Sequence, residues 1–140
     1  MPTDEIRTIR IDGAADLAFV DGLLDELDRL WAAVPRVPEE DRLLFGLAVS
    51  EIATNIVEHS PPGTRIDALV SAAPSALSAE LRDTAAPAHI DLAGAAMPDA
   101  DAESGRGLAL SRTVLDELEH TGSDAGNAWR MVRIIRPASA

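Results

Sequence analysis

Cysteine and lysine are both absent from this sequence. Without cysteine there is no disulfide, no thiolate zinc site and no cysteine nucleophile, a composition that fits a reducing compartment. Without lysine, all 12 basic residues are arginine, and they stand against 24 acidic ones for a formal net charge of −12. So acidic a chain argues against nucleic acid or an anionic membrane as main partner and suits a partner with a basic face. No apolar run reaches the roughly 18 residues of a membrane helix. The N-terminal Met1-Pro2-Thr3-Asp4-Glu5 carries acid where a signal peptide has base followed by an apolar stretch. The expectation is a cytoplasmic protein.

What is present is the composition of one globular domain, residues 1–140, with 46% hydrophobic and 26% charged residues and enough length for a core. Ile6, Thr8, Ile9 and Ile11 suggest a first strand ending at Asp12-Gly13. Leu17, Val20, Leu24, Leu27, Trp31 and Val34 then recur at steps of three and four, which places them on one helical face. Asp16, Asp21, Asp25, Asp28 and Arg29 fill the rest of that helix. After the break from Pro35 to Pro38, Glu39-Glu40-Asp41 opens a second helix with acid in its first turn, where the helix dipole favours it. Apolar residues lie almost all round this second helix, so it is expected to be central. It runs to His59-Ser60, and Pro61-Pro62-Gly63 stops it.

Alternation predicts two strands, Ile66 to Ala72 and Ala76 to Arg82, joined by a turn at Pro74-Ser75. Residues 84–104 have no clean period, and so long a loop in a small domain reads as a lid. A third helix begins at Gly105, a turn spans Gly122 to Gly126, and a last strand starts at Trp129, with an extra strand expected near His120. Strand pairs interleaved with few helices point to an α+β, two-layer sandwich: a mixed, mostly antiparallel sheet covered on one face by three helices.

Three constellations could carry chemistry. Glu51 and Asn55 lie four apart, so they share a helical face, and Glu58 and His59 extend that polar row. Magnesium with phosphate oxygens would satisfy such a carboxylate and amide; a solvent-facing helix edge would explain them equally well. Gly105-Arg106-Gly107 opens the third helix, where bare backbone N–H groups and the helix dipole favour an anion. It is neither a dinucleotide fingerprint nor a P-loop, and alone it also fits a glycine-rich loop exit. Asp83, at a strand end before small residues, can accept from an exocyclic amine or initiate a turn.

In their order and spacing these segments resemble the anti-sigma-factor serine/threonine-protein kinases. That family is a branch of the ATPase superfamily that also holds the gyrase, heat-shock-protein-90 and histidine-kinase ATP-binding domains. Leu47 to His59 looks like its N box, Asp83-Thr84-Ala85 like its first glycine box, and Gly105-Arg106-Gly107-Leu108 like its second. The resemblance covers nearly the whole chain. It implies the histidine-kinase-like ATPase fold, with Asn55 binding Mg²⁺ and Glu51 acting as general base. Asp83 with Thr84 and Ala85 would hold the adenine of ATP, and Gly105, Arg106, Gly107 and Leu108 the phosphates under a lid at 84–104.

The activity implied is that of a protein kinase. It would sequester a sigma factor and phosphorylate a serine on an anti-sigma-factor antagonist, and the family resemblance also implies a homodimer. The sequence departs from the family at Ala85, where a glycine is usual, and in Asp99, Asp101 and Glu103 just before the phosphate turn. Those departures favour an alternative: a regulatory module that sequesters its partner with weak ATP binding and no phosphoryl transfer. Trp129 reads as core, His59 as a helix-end residue, and His89 and His120 as isolated, with no metal-ligand spacing between them.

Overall fold

A computed structural model describes residues 6–86 and 103–136, with residues 103–107 described as helical backbone only. The elements run β1 (Arg7–Ala14), α1 (Leu17–Ala33), α2 (Glu39–His59), β2 (Arg65–Ala72), β3 (Ala76–Asp83), α3 (Glu103–Val114), β4 (Glu117–Ser123) and β5 (Gly126–Ile134). Five strands form one sheet in the order β1-β2-β3-β5-β4. Every described pairing is antiparallel, so the sheet is not mixed as expected. β2–β3 and β4–β5 are hairpins, whereas α1 and α2 separate β1 from β2 in sequence and α3 and β4 separate β3 from β5. β3 and β4, consecutive strands separated by α3, run parallel to each other, but β5 lies between them, so no two neighbouring strands are parallel. The extra strand expected near His120 is β4.

Strand alternation sorts the sheet into two faces. Ile66, Ala68, Val70 and Ala72 of β2, Leu77, Ala79 and Leu81 of β3, and Trp129 and Met131 of β5 are buried. Outward positions carry ion pairs instead: Arg10 with Asp67 at 2.9 Å, Arg82 with Glu80 at 2.6 Å, and Arg130 near Glu117 and Glu119. The helices cover the inner face. Phe45, Ala48, Val49, Ile52, Ala53 and Ile56 of α2 join the strands in one core, so α2 is central as its composition predicts.

Helix α1 is turned from its expected face. Asp16 caps it, its carboxylate accepting from the Phe19 N–H at 2.9 Å. The buried row is Phe19, Val20, Leu23, Leu27 and Leu30, while Leu17 is 67% and Leu24 40% exposed. Two apolar stripes lie side by side on this helix, and periodicity alone does not say which meets the sheet. Leu24 and Trp31, with Leu43 and Leu47 of α2, line an open groove of about 520 Å³ that also includes Arg42.

Arg133 of β5 ties three elements together. Its Nε donates to Asp41 in the first turn of α2 at 2.8 Å, and its Nη1 donates to the carbonyl of Val114 at the end of α3 at 2.6 Å. Asp41 is therefore buried in an ion pair as well as placed at a helix N-terminus.

Candidate functional site

The inward rows of the sheet turn polar at one end. On β3 the alternation Leu77, Ala79, Leu81 ends in Asp83; on β5, Met131 and Trp129 are followed outward by Asn127. Asp83 and Asn127 are directly opposite in the antiparallel register, and each is 6% exposed. His120 on β4 faces Trp129 across the next ladder. Over this polar end passes the last part of α2, with Asn55, Ile56, His59 and Ser60. Together with Ala85, Ala86 and Leu108 these residues line a cleft of about 280 Å³. That size is near the lower end of the range for small-molecule sites.

Asp83 is fixed from several sides. Its Oδ1 accepts from the Ala85 N–H at 3.0 Å and from the Asn127 amide at 2.9 Å. Among the described residues no hydrogen bond reaches its second oxygen, Oδ2. The backbone beside it is clamped as well. The Thr84 N–H donates to the Arg65 carbonyl at 3.0 Å, and the Arg65 N–H returns a bond to the Thr84 hydroxyl at 2.9 Å. On the other side Gly126 has φ +127, and a Cβ there would fall 1.8 Å from the Asp83 carbonyl oxygen. Only glycine lets β5 approach Asp83 so closely.

Of the residues singled out in the sequence, Asn55, Asp83, Ala85 and Leu108 come together in the cleft. Glu51 is half-buried one helical turn before Asn55 and is not part of the cleft wall. Thr84 points elsewhere, its hydroxyl joining β2 to the end of β3. Gly105, Arg106 and Gly107 form part of the first turns of α3, described as backbone only; the helix starts two residues earlier than expected. The lid at 84–104 lies outside the described residues except at its ends, and so do His89, Asp99 and Asp101.

Two residues of the site escaped the sequence reading. Asn127 fell inside an expected turn, and His120 is not isolated: its Nε2 lies 2.9 Å from the Asn127 carbonyl oxygen and its ring 4.6 Å from that of Trp129. The signal that could have found them is parity, since Asn127 shares the in-facing phase of Trp129 and Met131.

The cleft offers flat apolar walls from Ile56, Leu108 and Trp129, one open carboxylate oxygen and two amides. Those groups suit a planar base that carries an amine donor. Among the described residues no group of three or more His, Cys, Asp or Glu could hold a metal ion. An ion near Asn55 would therefore draw most of its oxygen ligands from phosphate and water, as Mg²⁺ commonly does. The amide carbonyl of Asn55, which lines the cleft, is a hard oxygen donor that fits such an ion.

No match was found among curated protein sequences. Among solved structures, the fold is similar to the RsbU and RsbW domains of Rv1364c from Mycobacterium tuberculosis, with a TM-score of 0.68 at 17% identity over 94% of this chain and 34% of that one. It is also similar to the histidine kinase domain of the blue-light activated histidine kinase from Erythrobacter litoralis EL346, with a TM-score of 0.56 at 16% identity over 84% and 60% of the two chains. At these identities the likeness is one of fold, and this chain spans less than two thirds of either neighbour. A family model described as the histidine kinase-like ATPase domain matches residues 13–133. That match runs from the end of β1 nearly to the end of β5 and takes in the cleft, and the chain belongs to the histidine kinase-like ATPase domain family.

Proposed function

We propose that this domain binds Mg-ATP in the cleft between α2 and the sheet and transfers the γ-phosphoryl group to a serine of a small anti-sigma-factor antagonist. It sequesters a sigma factor when that antagonist is absent, and it works as a homodimer in the cytoplasm. The observation that carries the nucleotide reading is Asp83. It is a buried carboxylate with one oxygen held by Ala85 and Asn127 and the other without a partner among the described residues, in a cleft with apolar walls. An acceptor that opens into the cleft can take a donor from a ligand, and the exocyclic amine of adenine is one. The family match supports ATP as the nucleotide, and the fold likeness to a chain containing an RsbW domain supports the anti-sigma branch.

Bound Mg²⁺ would neutralise the charge of the phosphates. The chain's own residues do the rest. In this reading Asn55 holds the ion's side of the nucleotide, and the N-terminal end of α3 around Gly105 takes the phosphates. Glu51 accepts the proton of the serine hydroxyl as its oxygen bonds to the γ-phosphorus and the bond to ADP breaks. Positioning and charge neutralisation dominate phosphoryl transfer, so few groups are needed.

A second reading rests on Ala85, which lines the cleft where the family resemblance calls for glycine. Its Cβ would crowd the base, and a weakly binding module would then sequester a partner without transferring phosphate. Transfer of radiolabelled γ-phosphate to a purified antagonist separates the two. The expected result is transfer by the wild type, reduced about 100-fold or more in Glu51→Ala. Equal transfer by the variant removes Glu51 from its role, and no transfer by a wild type that still binds ATP favours the module.

A further inference from the structure

His120, Asn127 and Asp83 form a chain of hydrogen bonds across three neighbouring strands, and phosphoryl transfer gives no reason for its first member. The Asn127 amide nitrogen lies 2.9 Å from Asp83 Oδ1, 3.1 Å from the Ala86 carbonyl and 3.5 Å from the Ala85 carbonyl. All three are acceptors only, so this end of the amide must be the NH₂. The carbonyl end then faces His120 Nε2 at 2.9 Å, and an acceptor there requires the imidazole to carry its proton on Nε2. The ring is steadied by its tilted contact with Trp129, a residue that is 2% exposed. Every bond in the series thus has one direction, from His120 through Asn127 to Asp83.

We propose that His120 and Asn127 are positioning residues that orient the Asp83 carboxylate for an amine-bearing base. The proposal rests on the nucleotide reading above and deepens it. The Asn127 amide and the Ala85 N–H both bind the same carboxylate oxygen. They thereby hold the group in one rotamer and leave Oδ2 as a bare acceptor. A bare acceptor accepts from the amine of adenine and repels the carbonyl that hypoxanthine carries at the same ring position. A free carboxylate on a strand end could rotate and blur this choice. His120 acts one step removed, by keeping the Asn127 amide from turning.

The test compares Mg-ATP with Mg-ITP, which differ at that ring position, on wild type, His120→Phe and His120→Gln by calorimetry. Phenylalanine keeps a ring against Trp129 but has no N–H; glutamine places an N–H where Nε2 stood. Wild type is expected to prefer ATP by about tenfold or more, since a site built around a hydrogen bond rejects the analogue that lacks it. His120→Phe is expected to bind ATP about fivefold more weakly with ITP little changed, the loss of about one hydrogen bond. His120→Gln should restore most of the preference. An unchanged preference in His120→Phe, equal losses for both nucleotides, or a glutamine variant no better than phenylalanine would each overturn the relay while ATP binding by wild type keeps the nucleotide site. No binding of either nucleotide by wild type overturns the site and the relay together. Should a variant not fold, a long-range proton–nitrogen NMR spectrum of the wild type decides: an N–H on His120 Nε2 supports the relay, and a neutral ring protonated only on Nδ1 overturns it.

Discussion

A single carboxylate, Asp83, depends on neighbours from two other strands for its place. Arg65 of β2 fixes the backbone that follows it, Asn127 of β5 takes one of its oxygens, and Gly126 permits the close approach of β5. Replacing Gly126 with alanine puts a methyl group into the Asp83 carbonyl and asks an L-residue to adopt φ +127. Gly126→Ala is expected to destabilise the domain by more than about 2 kcal/mol, measured as a fall in the urea midpoint. A loss under about 0.5 kcal/mol would show that β5 moves away freely. Asp83 and Asn55 were legible as candidates because each has a local signature: a strand end before small residues, and a polar position four from another on a helix. Asn127 offers only its parity with the in-facing Trp129 and Met131, and His120 stands alone in the sequence. Their roles come from which residues oppose each other across β3, β5 and β4, and register is a tertiary property.

At the scale of elements, seven of the eight were legible from periodicity and turn residues, and the eighth, β4, as an extra strand near His120. What periodicity left undecided was orientation. The stripe through Leu17, Leu24 and Trp31 and the stripe through Phe19, Leu23 and Leu30 both repeat at helical spacing; the second is buried in the core, while the first touches it only through the partly buried Trp31 and leaves Leu17 and Leu24 exposed. The joint between α3 and β4 shows another cause of illegibility, since it depends on Asp116 and on residues 16 to 20 positions later. Asp116 accepts from the Ile134 N–H and from Arg136, both at 2.7 Å. These bonds, the Arg136 one foremost, hold its carboxyl below the ordinary aspartate range. A folded pKa below the unfolded value means the contribution is complete above the unfolded pKa and is lost as pH falls toward the folded one. The stability gap between wild type and Asp116→Asn should therefore be constant from about pH 7 to about pH 5 and close as pH drops below about 4. Equilibrium urea unfolding across that range checks it; a gap that persists in strong acid would contradict the ion pair.

For the whole molecule the dominant fact is charge. A chain of net charge −12 must admit a nucleotide that is itself anionic, and no arginine lines the cleft among the described residues. Screening should help the encounter, so the association rate of Mg-ATP is expected to rise about twofold or more between about 20 and 150 mM salt. A rate that falls with salt would mean that a positive local field governs entry. Stopped-flow fluorescence of Trp129, which lines the cleft, can follow it. The fold class was legible here because strand pairs and three helices left few other architectures, while the all-antiparallel sheet had to be seen. The central claim is that the cleft under α2 binds Mg-ATP through Asn55. Calorimetric titration of wild type and Asn55→Ala with Mg-ATP tests it most directly. Binding by wild type, weakened at least about tenfold or 1.4 kcal/mol in the variant, is the expected result; no binding by wild type, or equal binding by both, would contradict it.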